Sequence, residues 1–94
     1  MMRFLSIALA LSLFLAPLQA QKHVPDGELI DQVRVRLAND PDVGGIKFDV
    51  DAHDGAVTLT GKVKTEKQRV KAEKIAKKVK GVSSVNNQLV VSPD

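Results

Sequence analysis

The chain has 94 residues, a formal net charge of +3, no cysteine and an aromatic content of only 3%. Without cysteine it has no disulfides, no lipid-modified cysteine at a processing site and no thiolate zinc centre. A chain this short builds one domain with a thin core, too small to enclose a shielded active site of any size.

The first element in chain order is an export signal over residues 1–20. Met1-Met2-Arg3 forms a short n-region with one positive charge, and Leu, Ala, Ile and Phe dominate from Phe4 to Leu18. The apolar run is interrupted by Ser6, Ser12 and Pro17 and falls short of the roughly 20 residues that span a bilayer. Ala20 places a small residue where a signal peptidase cuts, so cleavage is expected after Ala20, with a periplasmic mature protein. Phe48 is then its one aromatic residue, which removes the stacking platforms of single-stranded nucleic-acid binders, so nucleic acid is not an expected partner.

Residues 21–27 read as a short tail and residues 28–92 as the folded domain. Asp26 is expected to N-cap a first helix whose Leu29, Ile30, Val33 and Leu37 recur at helical spacing. Asn39-Asp40-Pro41 ends it, and residues 42–45 are expected as a flexible loop. Ile46, Phe48, Val50 and Ala52 alternate with Lys47, Asp49 and Asp51 as a half-buried strand. Asp54-Gly55 is a preferred pair for a two-residue hairpin turn, which sets Ile46 opposite Val63, Phe48 opposite Gly61, Val50 opposite Leu59 and Ala52 opposite Val57. Gly61 is expected to leave room for the Phe48 ring to lie across its strand.

Thr65 and Gln68 fit a capping box opening a second helix with the stripe Ala72, Ile75, Ala76 and Val79, and Gly81 stands where a left-handed C-terminal residue is needed. Val85, Asn87, Leu89 and Val91 form a third strand. The expected fold is α+β, in the order α-β-β-α-β, with a three-stranded mixed sheet and two helices packed on one face. The other face stays wet, exposing Asp49, Asp51, Thr58, Thr60, Lys62, Asn86 and Gln88.

The run from Gly55 to Val63, with Gly61 inside it, followed by Ala72, Ile75-Ala76, Val79, Gly81-Val82, Val85, Asn87, Leu89 and Val91, resembles the BON domain of bacterial osmotic-stress and nodulation proteins. The resemblance covers residues 28–91. It implies the fold above, a bacterial envelope location, no catalytic activity, no cofactor, and a role in binding phospholipid membranes or supporting envelope integrity under stress. Gly55, Gly61, Gly81 and Asn87 carry its structural motif.

Charge is unevenly distributed. Residues 21–54 hold four basic against eight acidic residues, whereas residues 62–80 hold nine basic against two acidic. On a helical wheel Lys67, Lys71, Lys74 and Lys78 fall in one row beside the buried stripe, a candidate surface for anionic phospholipid. At about 1 kcal/mol per lysine, four supply about 4 kcal/mol, a millimolar affinity. Lasting attachment then requires self-association or a second contact. Val35 and Val70 point away from the buried stripes of their helices.

Asp49, Asp51, His53 and Asp54 superficially suggest metal ligands, but counting from Asp49 puts Asp54 where a calcium loop needs glycine and Thr60 where it needs a carboxylate, so no metal site is expected. His23 and His53 lack a nucleophile at a recognisable spacing, and Ser83, Ser84 and Ser92 lie outside any elbow motif, so an enzyme is not expected. The alternative is a protein-interaction or chaperone-like module that holds envelope proteins through its open sheet face or strand edges.

Overall fold

The computed structural model describes residues 23–93; the expected export signal and the expected cleavage point lie outside them. Helix α1 spans Asp26–Ala38 and buries Leu29, Val33 and Leu37, spaced four apart along one face. Its N-cap is Pro25, with no side-chain cap. Asp26, expected as the cap, is instead the first helical residue, and its Oδ1 accepts the backbone N–H of Asp54 across the fold at 3.1 Å. As an acid in the first turn it still complements the helix dipole.

The stretch after α1 is a fixed turn and not the flexible loop expected. Asp40 Oδ1 accepts from the N–H groups of Asp42 (2.8 Å) and Val43 (3.2 Å), an Asx-type turn around Pro41. This drives Val43 into the core, where it is fully buried.

Strands β1 (Phe48–His53) and β2 (Ala56–Val63) pair antiparallel with Phe48 opposite Gly61, Val50 opposite Leu59 and Ala52 opposite Val57. The register is the one expected, except that Ile46 precedes the ladder. Asp54 (φ 49°) and Gly55 (φ 87°) both sit in the left-handed region, as a two-residue turn with the twist of the strands demands.

Gly61 is required by its own backbone. With φ at 139° it adopts a backbone that side chains disfavour, and a Cβ there would stand 2.9 Å from the Lys47 carbonyl oxygen. The nearest atoms around that position belong to the Lys47 and Phe48 backbone and to Leu89, so the glycine admits a neighbouring main chain.

Helix α2 spans Glu66–Lys77 with Thr65 as N-cap, its hydroxyl accepting the Gln68 N–H at 3.1 Å. The reciprocal bond goes one residue further out than in the standard box: Gln68 Oε1 accepts from Lys64 N–H at 2.9 Å. Ala72 and Ala76 are buried on α2 and Val79 just past its end, while Ile75 is partly covered. Gly81 (φ 99°) lies beyond the Lys78 cap, and its bare Cα admits Val24, whose Cγ2 would stand 2.6 Å from a Cβ.

Strand β3 (Ser84–Val91) pairs parallel with β2, giving the order β1-β2-β3 and the expected α-β-β-α-β, α+β architecture. Buried residues from α1 and α2 join Val50, Ala52, Val57, Leu59, Val63 and Leu89 in one core. Its members are Leu, Val and Ala, each Val or Leu contributing about 1.5 to 3 kcal/mol of burial, so cohesion is spread over many modest side chains.

Candidate functional site

The outer side of α2 carries a row of lysines, and it is built from the sheet upward. Asn87 on β3 is half buried beneath the helix. Its Nδ2 donates to the Arg69 carbonyl (2.9 Å) and to Glu73 Oε1 (3.1 Å), and its Oδ1 accepts from Leu89 N–H (3.1 Å). These bonds fix the rotation of α2 about its axis, and so decide which lysines face outward. Gly55 ties the hairpin tip to β3 by accepting from Ser83 N–H at 2.8 Å.

The four lysines of the row have different environments. Lys71 lies on the side of the row nearer Ala72 and Ile75, and this turns it toward the α1–β1 turn. Its ammonium pairs with the Asp42 carboxylate and with Asp40 Oδ2 at 3.3 Å. The hydrogen bond to Asp42, assisted by Asp40, raises the Lys71 pKa above the ordinary lysine value. Partial burial acts to raise the Asp40 pKa, but the Asp42 N–H, Lys71 and the Val43 N–H outweigh it and the carboxyl titrates below its ordinary value. Lys71 is thus a tether joining α2 to the turn after α1, and it interrupts the row of free charge expected at positions 67, 71, 74 and 78.

Lys67, Lys74 and Lys78 are exposed, and none has an acidic partner among the described residues. The acids of α2 are already engaged. Glu66 binds Arg69 through two bonds, Nε to Oε1 at 2.9 Å and Nη2 to Oε2 at 2.7 Å, which lowers the Glu66 pKa. Glu73 pairs with Lys77 at 3.0 Å and accepts from Asn87, and both lower its pKa. What α2 offers to solvent is therefore three uncompensated ammonium groups.

Val70 stands between Lys67 and Lys74, 38% exposed. It lines an open groove of about 560 Å³ together with Lys67, Lys71, Lys74, Glu66 and Asp42. Cations flanking an apolar side chain at a shallow surface suit an anionic headgroup with the start of its acyl region. The tether was hidden from sequence reasoning because Lys71 and Asp42 are 29 positions apart; the signal available was the clash between a lysine placed beside the buried stripe and the cost of covering an unpaired charge. Val35, 51% exposed, faces solvent on α1 away from this groove's lining.

The BON domain family model matches residues 25–93, which include both helices and all three strands described above. No curated protein matches the chain significantly.

Proposed function

The chain belongs to the BON domain family, which is generally non-catalytic and associated with osmotic stress and phospholipid binding, and from that premise we propose that this protein is a periplasmic module that docks on anionic phospholipid surfaces through α2. The observation that carries the reading is the set of three exposed lysines, Lys67, Lys74 and Lys78, left without acidic partners along one row of α2, with Val70 between the first two, while the acids of the helix are engaged elsewhere. The expected export signal supports an envelope location.

Three free lysines at about 1 kcal/mol each supply about 3 kcal/mol, and a partly exposed valine adds a few tenths to about 1. That is weaker than millimolar for one copy, so attachment that lasts requires several copies or a second contact.

Flotation with phosphatidylcholine vesicles and with vesicles containing phosphatidylglycerol tests the reading. The protein should float with the anionic vesicles alone, and less so as salt rises toward 1 M, where screening length falls from about 8 Å to about 3 Å. The Lys67→Gln, Lys74→Gln, Lys78→Gln triple variant should stay at the bottom with its fold intact, since glutamine keeps helix propensity close to that of lysine. Equal flotation of variant and wild type, or indifference to salt, refutes it.

One observation favours a second reading, that of a module holding envelope proteins. Strand β3 is an edge of the sheet, eight residues long, with no charged side chain and with Val90 and Val91 exposed, which is the kind of edge that accepts another strand.

A further inference from the structure

Where the hairpin tip meets the start of α1, three separate segments of chain converge. Asp26 opens α1, Asp54 is the first residue of the β1–β2 turn, and His23 lies in the segment leading into α1. The bond from Asp54 N–H to Asp26 Oδ1 and the left-handed conformation of Asp54 hold the two acidic residues together through the backbone, against the repulsion of their carboxylates. One ligand atom each from His23, Asp26 and Asp54 lies within 4.8 Å of the other two. Among the described residues no lysine or arginine pairs with either carboxylate. The nearby partner is His53, whose Nδ1 is 3.9 Å from Asp26 Oδ2 and whose Nε2 is 3.6 Å from Asp54 Oδ2.

We propose that His23, Asp26 and Asp54 form a binding site for a divalent cation of the zinc class. Imidazole nitrogen and carboxylate oxygen are the donors zinc takes when thiolates are absent, and three protein ligands with an open fourth position make an accessible tetrahedral site. Zinc bonds of about 2.0 to 2.2 Å put tetrahedral ligand atoms about 3.4 Å apart, so the three must close by up to about 1.4 Å, a movement open to surface side chains by rotation. His53, with 86% of its side chain exposed, is free to swing in as the fourth ligand. A nitrogen donor in a loose site disfavours magnesium, which demands an oxygen octahedron. The bound ion ties the segment before α1 to the hairpin tip and relieves the repulsion between the two carboxylates.

Calorimetric titration of the purified protein with zinc chloride, in a buffer free of chelators, tests this. We expect saturable one-site binding in the micromolar range, and little heat from magnesium chloride. His23→Ala and Asp54→Asn should each weaken zinc binding at least about tenfold, a loss that removing even a group behind a ligand produces. Asparagine tolerates the positive φ at position 54, so the turn survives, and the melting temperature without zinc should match that of the wild type. Asp51→Asn, on the wet sheet face, should bind zinc as the wild type does. Failure to saturate by millimolar zinc, or wild-type affinity in Asp54→Asn, overturns the proposal. So does a loss confined to His23→Ala, which places the ion on the leading segment alone.

Discussion

Gly61→Ala is the substitution that most directly tests the geometry of the sheet. At φ 139° a residue with a Cβ is strained, at a cost of about 1 to 3 kcal/mol. The added methyl also stands 2.9 Å from the Lys47 carbonyl oxygen, a main-chain atom that moves only by disturbing the entry to β1. Overpacking of this kind costs about 1 to 3 kcal/mol more. The two effects sum to about 2 to 6 kcal/mol, set against the roughly 4 to 11 kcal/mol expected of a domain of about 70 residues. At roughly 4 to 8 °C per kcal/mol, the melting temperature should fall by about 10 °C or more. Gly45→Ala is the control, because a Cβ at Gly45 meets nothing within 4 Å. Urea melts of the three proteins give the comparison directly. If Gly61→Ala unfolds at the same midpoint as Gly45→Ala, the close approach of Lys47 to β2 and the pairing of Phe48 with Gly61 are both wrong.

Lys71→Gln should lower the thermal midpoint, because this lysine ties α2 to Asp40 and Asp42; Lys74→Gln should weaken flotation with anionic vesicles while keeping the wild-type midpoint. Asp40, Glu66 and Glu73 titrate below their ordinary values of 3.8, 4.5 and 4.5 in the folded state, so each contributes stability that is complete above the unfolded value and lost as pH falls through the folded one. Acid melts should therefore show stability declining from near pH 4.5 and further below 3.8, with a shallower decline in Asp40→Asn. Intact mass of protein recovered from the envelope fraction should correspond to a chain starting at Gln21, and chains retaining Met1 would refute cleavage after Ala20.

Local chemistry accounts for what was legible in the chain alone. Asp54-Gly55 selects a turn whose two residues both adopt positive φ, and that turn together with a period-two apolar pattern permits one register, so the pairing of Val50 with Leu59 followed from neighbours in sequence. The same holds for the α2 cap at Thr65, for the buried faces of both helices and for the pattern shared with the BON family. Interactions between residues far apart in sequence were not legible, since periodicity carries no information about which charged groups meet. Four lysines in one row looked equivalent until Asp40 folded its turn and presented Asp42 to Lys71 alone. Asp26 looked like a helix cap until the hairpin tip supplied Asp54 N–H as its partner, and His23 joined them only because the segment before α1 passes the same point. Gly61 was recognisable as special from its place in a strand, but the close approach of the Lys47 main chain to its bare Cα depended on how the start of β1 crosses β2, and that only the assembled sheet decided.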